Sequence, residues 1–538
     1  MAHATRTRIG GHVIVECLEA LGADTAFGLP GIHALAMFDG LRSSGVRYIG
    51  TRTELNAAFA ADGYARASGR PAPVLLSTGP GALNSLTGIM EASSAHVPVV
   101  AIASQIPTDL IGRGRGYLHE LRDQAASFLP LVKWTERATS AAEIPEMLAE
   151  AWRRAQAPPS GPVFVEIPVD VLTGEADLAP VDELDGTPDQ SPVPDVAEAT
   201  NVLARAERPV LWAGGGVLRS GAWDELRALA ERLGAPVATT YMGKGAFPEE
   251  HPLSLGSAAD EAAFQDAVAD ADVLLCVGTE LGAETTGQYA FRPRGRIVQI
   301  DAVRERIGAN YEALGLVGDA KATLGELLGA LGPGEPATDG AGTARATRER
   351  IERGLDEQER DLERGLLRTI REALPRDAVG AWDMTILAYR AGAHFPALEP
   401  RRFLYPLGSG TLGYAWPAAL GAAAATGGPT LAVAGDGGIH YGLSELASAR
   451  GNGLDATLLL VDDGGYGILR EYQRDTFGET FGVDLAQPDF ARLFDAFGIP
   501  YRDATPESLA EDLSWALGTG GTSAVLLRTR LEMWAPTR

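Results

Sequence analysis

Residues 431–470, LAVAGDGGIHYGLSELASARGNGLDATLLLVDDGGYGILR, decide the fold class. They read as an apolar strand, the loop Gly435-Asp436-Gly437-Gly438, a helix, a second apolar strand, and then Asp462-Asp463-Gly464-Gly465. In a parallel α/β unit both strands end on the same edge of the sheet, so the two acidic loops become neighbours. Asp436 and Asp463 stand 27 positions apart, the length one helix and one strand require. Two hard carboxylate oxygens beside glycine backbone suit a Mg²⁺ that itself holds a diphosphate. Acidic glycine turns also punctuate ordinary doubly wound sheets, so this segment alone leaves a purely structural reading open.

The chain around it has 538 residues, too many for one hydrophobic core, and two or three domains are expected. A formal charge of −25 with no offsetting basic patch speaks against nucleic acid and anionic membranes as partners. An anionic cofactor must then be held by local backbone amides and metal. Cys17 and Cys276 lie far apart, each in an apolar run, and read as core residues of a reducing compartment. Residues 1–11, MAHATRTRIGG, carry no apolar signal core, and no apolar stretch is long enough to span a bilayer. A cytoplasmic protein is expected.

Residues 177–197 and 332–347 are rich in breakers, lack hydrophobic periodicity and read as linkers. They divide the chain into domains expected at 1–178, 195–332 and 350–538. In the first, Val13, Val15, Leu18 and Leu21 share one helical face, and strands fit 26–27, 47–49, 74–77 and 97–103. In the second, strands fit 209–213, 272–277 and 296–300, with a helix from about Ala222 after the turn Gly214-Gly215-Gly216. Strand–helix alternation throughout predicts an α/β protein of three doubly wound parallel-sheet domains.

Three further strings carry chemistry. Residues 51–66, TRTELNAAFAADGYAR, and 77–82, STGPGA, lie in the first block; 408–417, GSGTLGYAWP, lies in the third. Together with the acidic pair they resemble the thiamine-diphosphate (ThDP) enzymes of the acetolactate synthase and benzaldehyde lyase branch. The resemblance spans essentially the whole chain and implies pyrimidine-binding, central Rossmann-like and diphosphate-binding domains in that order. It departs at Asp462-Asp463, where the family usually has two asparagines, and at Thr53, where it often has His or Tyr.

By that resemblance Glu54 is the catalytic glutamate. A carboxylate there would hydrogen-bond N1′ of the aminopyrimidine and favour its imino tautomer, which removes the C2 proton. An ordinary glutamate favoured at a helix start by the helix dipole is the competing reading. The resemblance also implies Mg²⁺ ligation by Asp436, Asp463 and the Gly465 carbonyl, with Gly437 and Gly438 at the diphosphate. Thr385 and Asp383 fall near the same group. The Gly410 carbonyl would accept from the 4′-amino group, and Leu412 would wedge between the two rings. Residues 28–33, GLPGIH, match the loop where benzaldehyde lyase places a functional histidine, here His33. Residues 117–124, YLHELRDQ, put His119 where acetolactate synthases have the glutamine of Phe-Gln-Glu. Either histidine could equally be a solvated or capping loop residue.

The second block, with GGG at 214–216, MGKGAFP at 242–248, VQID at 298–301 and VGDA at 317–320, resembles the central domain of the same branch. Some relatives hold a non-redox FAD there. Residues 281–288 lack the Arg-Phe-Asp-Asp string of those relatives, so the domain is read as structural, with FAD as the alternative. The resemblance implies a homodimer or homotetramer with active sites at subunit interfaces. The adjacent His-His pair of pyruvate decarboxylases is absent. The function expected is a ThDP- and Mg²⁺-dependent carboligase or decarboxylase acting on a 2-oxo acid and an acceptor carbonyl. An acyloin lyase, a flavin-linked 2-oxo acid oxidase and a non-catalytic ThDP-binding relative remain the alternatives.

Overall fold

The protein is described from a computed structural model covering residues 7–189, 191–336 and 338–537. It contains three six-stranded sheets. The first sets Arg47–Gly50, Thr25–Gly28, Ala72–Leu76, Val99–Gln105, Val163–Pro168 and Thr135–Arg137 side by side. The third sets Phe403–Leu404, Val379–Trp382, Thr430–Gly435, Ala456–Asp462, Ser523–Arg528 and Tyr501–Ala504 side by side. Counted along the chain within each sheet, both orders are 2-1-3-4-6-5. The middle sheet, from Ala313–Val317 through Pro209–Ala213 to Ser254–Gly256, has the Rossmann order 6-5-4-1-2-3. Every pairing within the three sheets is parallel. Central strands such as Val99–Gln105 are buried throughout, which is why they read as unbroken apolar runs. The three-domain α/β architecture expected from the sequence is the one observed.

Local boundaries differ in instructive ways. Val97, expected in a strand, instead donates its N–H to the Ala92 carbonyl and closes the end of the helix Leu86–Ser94. The strand starts at Val99, after Pro98. Residues 435–438, expected as a loop, are the last residue of Thr430–Gly435 and one helical turn, Asp436–Ile439. The stretch 332–347 is not wholly a linker, because the helix Gly340–Asp356 begins within it and runs through position 350. Asp339 caps that helix by accepting from the Gly342 N–H at 3.0 Å, and Ala344, Thr347 and Ile351 form its buried face. Its glycines and small residues concealed the 3.6-residue period. By contrast the described residues of 177–197 hold almost no regular structure, although Leu178, Val181 and Leu184 pack against the first domain. Cys17 and Cys276 are buried and free.

The outer domains meet through the helices Glu54–Ser68 and Ala415–Thr426, both rich in alanine. At their crossing a Cβ on Gly421 would lie 1.7 Å from the Ala60 carbonyl oxygen, and one on Gly63 would lie 2.1 Å from that of Ala418. Backbone meets backbone there, so only glycine fits. Among the described residues no helix is long and apolar enough to cross a membrane.

Candidate active site

The sequence-predicted residues gather at the strand ends of the first and third sheets. In the first domain Thr53 caps the helix Glu54–Ser68 through its hydroxyl, leaving Glu54 as the first helical residue. Glu54 is buried; its Oε2 accepts from Asn84 at 3.2 Å, and its Oε1 takes no hydrogen bond among the described residues. The turn 77–82 lies against it, a Cβ on Gly81 falling 3.2 Å from Glu54 Oε1. That turn also touches both histidine loops. A Cβ on Gly31 would strike Ser77 at 2.4 Å, and one on Gly79 would strike the His119 carbonyl at 2.6 Å.

His33 and His119 are therefore neighbours, with ring centroids 5.1 Å apart and Tyr117 5.8 Å from His33. The Nδ1 atoms of both are buried without a hydrogen-bond partner. Burial, assisted by the His119 imidazole, lowers the pKa of His33. His119 adopts φ +67°, a left-handed conformation that a non-glycine residue takes up at a local cost.

In the third domain, register pairs Gly435 with Val461, so the two acidic loops leave adjacent strands together. The Asp463 N–H reaches Asp436 Oδ1 at 3.5 Å, and Gln487 donates to Asp436 Oδ2. Asp463 Oδ1 and Gln487 Oε1 are buried without partners. Arg470 stands 4.0 Å from Asp463, at the limit of an ion pair. Burial followed by the charge of Asp462 raises the pKa of Asp436, and burial followed by Asp436 pushes Asp463 up to about 7. Two carboxyl groups that repel and retain an unpartnered oxygen fit a divalent cation. Gly465, at φ +153°, lies so close to the Val483 carbonyl that a Cβ would fall 2.1 Å from it.

Asp383 ties the rest of this half together. It is buried, accepts from Met384 at 2.8 Å and from Gly413 at 3.0 Å, and would lie 2.8 Å from a Cβ on Gly438. Burial pushes its pKa up to about 6. Thr385 caps the helix Ile386–His394 and packs its methyl toward Gly435. Tyr466 lies over Gly437, where a Cβ would fall 2.6 Å from the ring. Gly410 is left-handed at φ +66°, and Leu412 is half-buried beside it in sequence.

The two halves touch within one chain through residues the sequence reading gave no role. Asn56 donates to the Tyr441 carbonyl and to Glu445, both at 3.1 Å. Glu91 of the first domain accepts from Gly408 and Ser409 of the third. Their only signal in the sequence is a single acid inside an otherwise small-residue helix, MEASSA or SELASA.

A separate cavity of about 800 Å³ lies between the domains, lined by Gly215, Gly216, Arg219, Asp301, Arg306 and Arg401 among others. It contains none of Glu54, His33, His119, Asp436 or Asp463.

Comparison with known proteins agrees with the three-domain architecture. Residues 8–127 match the thiamine pyrophosphate enzyme N-terminal TPP binding domain, 196–327 the central domain, and 383–527 the C-terminal TPP binding domain. The chain is 37% identical to the "probable 2-ketoarginine decarboxylase" of Pseudomonas aeruginosa, over 97% of this chain and 94% of that one. It is 34% identical to the "probable acetolactate synthase large subunit" of Methanocaldococcus jannaschii, over 94% of this chain and 90% of that one. It is also 34% identical to the acetolactate synthase large subunit of Corynebacterium glutamicum, over 91% of this chain and 81% of that one. The protein thus belongs to the thiamine pyrophosphate enzymes, the class that forms or cleaves carbon–carbon bonds with this cofactor.

Proposed function

We propose that the protein is a ThDP- and Mg²⁺-dependent enzyme that decarboxylates a 2-oxo acid and joins the remaining acyl unit to an acceptor carbonyl. The observation that carries this reading is the pairing of Asp436 with Asp463, whose Oδ1 is buried without a partner at the edge of the third sheet. Bound ThDP would supply a nucleophilic carbon and an electron sink beside the substrate carbonyl. Asp436, Asp463 and the Gly465 carbonyl would hold the cation. Gly437 and Gly438 would offer backbone N–H groups to the diphosphate, with Thr385 beside them. The Gly410 carbonyl and the Leu412 side chain would orient the pyrimidine. Glu54 would exchange a proton with N1′ through its unengaged Oε1. His33 and His119 would orient the acceptor and give a proton to the oxygen of the newly joined carbonyl.

A second copy of the chain would complete the site, as a homodimer or homotetramer. The exposed Ile32 and Leu118, next to His33 and His119 in sequence, support that arrangement. The three units are taken as 1–178, 195–332 and 350–538, with the helix Gly340–Asp356 docked on the second. Two free cysteines suit a reducing cytoplasm.

Two observations favour other readings. The 37% identity to a protein named for 2-ketoarginine decarboxylation favours simple decarboxylation of a larger 2-oxo acid. The arginine-lined cavity beside Gly215-Gly216 favours a bound flavin over a purely structural central domain. A mass-spectrometric screen of pyruvate, 2-ketoarginine and other 2-oxo acids against mixed aldehydes and ketones tests the proposal. A hydroxyketone or acetohydroxy acid as main product supports it, and free aldehyde across the whole panel supports the decarboxylase. Cleavage of added acyloins with no turnover of any 2-oxo acid supports the lyase. An absorption spectrum of the purified protein decides the flavin.

A further inference from the structure

We propose that Glu91 and Glu445 are a reciprocal pair of positioning residues, each holding the half of the cofactor site that belongs to the other outer domain. Both carboxylates are fully buried. Glu445 lies at the start of the helix Glu445–Gly451 in the third domain. It accepts from the Arg52 N–H at 3.0 and 3.1 Å, from Asn56 Nδ2 at 3.1 Å and from the Ser448 hydroxyl at 2.6 Å. These bonds bracket Glu54 on both sides in sequence. Among the described residues Glu445 has no ion pair, and apart from the Ser448 hydroxyl its donors, Arg52 and Asn56, both stand at the start of the first-domain helix.

Glu91 mirrors it from the helix Leu86–Ser94 of the first domain. It accepts from Gly408 N–H at 3.2 Å, from Ser409 N–H at 2.7 Å and from the Ser409 hydroxyl at 2.8 Å, immediately before Gly410. Arg66 neutralises it at 2.7 Å and also binds the Tyr405 carbonyl at 3.0 Å and Asp62. A Cβ on Gly408 would lie 2.8 Å from Glu91 Oε1, so the loop is seated on the carboxylate. Neither group is itself proposed to touch the cofactor. Each acts through a segment that does, and displacement of such a segment by about 1 Å is enough to cost ~100-fold in rate.

This inference rests on the roles proposed above for Glu54 and Gly410. The test compares Glu445→Gln, Glu91→Gln, Glu54→Gln and Tyr64→Phe as ThDP- and Mg²⁺-loaded full-length protein. Tyr64, on the helix Glu54–Ser68, donates within the first domain to Asp24, which lies outside that helix, so Tyr64→Phe serves as the purely structural control. The readouts are melting temperature, ThDP affinity, and hydrogen–deuterium exchange at C2 per bound cofactor. Expected for both clamp variants are ThDP affinity within about threefold of the parent and C2 exchange and kcat lower by about tenfold or more, with KM little changed. Tyr64→Phe should lower the melting temperature alone. Should a clamp variant fail to fold, Asn56→Ala and Ser409→Ala each trim part of the clamp and should show a smaller drop in exchange. Parent-like exchange in the folded clamp variants, or in both milder ones, overturns the proposal while leaving Glu54 in place. Parent-like exchange in Glu54→Gln overturns the Glu54 role itself and the Glu445 arm with it.

Discussion

The first and third sheets share one strand order and present opposite chemistry at their edges. The first edge offers side chains: one buried carboxylate with a free oxygen and two imidazoles 5.1 Å apart. The third offers acidic loops and backbone, opened by left-handed turns at Gly410, Gly413, Gly464 and Gly465. The topology selects where a ligand can lie, and the loops select which part of it is handled. An anchoring edge needs a cation site and exposed amides; a reacting edge needs groups that hold and release protons.

The largest test of that contrast is removal of the anchor. Asp436→Ala should abolish measurable ThDP binding, and dialysis against EDTA should weaken it in the parent. Undiminished affinity by titration calorimetry in the metal-free variant would move the anchor elsewhere. Next comes the reacting edge, where Glu54→Gln keeps shape but loses the exchangeable proton. ThDP should still bind, while C2 exchange and turnover fall by about 10²–10⁴-fold. Loss of ThDP binding in this variant, or parent-like C2 exchange on the bound cofactor, would erase the distinction between the two edges.

A smaller effect is expected at the imidazoles. His33→Ala and His119→Ala should lower ligation several-fold more than CO₂ release, because each is proposed to serve the acceptor step. Equal losses in both outputs would assign the pair to decarboxylation.

The smallest effect separates the edges by pH in cofactor-free protein. The raised pKa of Asp463, about 7, means that the folded state binds more protons than the unfolded chain between the ordinary aspartate range and that value. Its stabilising contribution is therefore present at low pH and is lost as the pH rises through about 7. A modest fall in melting temperature from about pH 5 to about pH 8 is expected, and ThDP with Mg²⁺ should cancel it. A melting temperature that rises over this window without cofactor would contradict the repulsion between Asp436 and Asp463.

Legibility in the sequence followed the same division. The anchoring edge could be read because its strands are unbroken apolar runs ending in acid–glycine pairs, and register does the rest. The reacting edge was legible only by resemblance, since Glu54, His33 and His119 come from three segments that no periodicity connects. Glu91, Glu445 and Asn56 escaped because a lone polar residue on a helix ordinarily signals a solvated face. Here Glu91 and Glu445 lie on the faces of their helices that meet the opposite domain, and both are buried. The helix Gly340–Asp356 escaped for a compositional reason, beginning GAGTA with its cap on Asp339.

The crossing of Glu54–Ser68 with Ala415–Thr426 has a mechanical consequence. With Gly421 pressed on Ala60 and Gly63 on Ala418, the two outer domains are riveted and cannot slide without a backbone collision. Any adjustment of the domain pair to a ligand is then expected outside this crossing. The stretch 464–486, which carries the exposed Phe477 and Phe481, is free of that constraint. In this molecule the joint between the outer domains is a contact of backbone on backbone, and the exposed aromatics lie outside it.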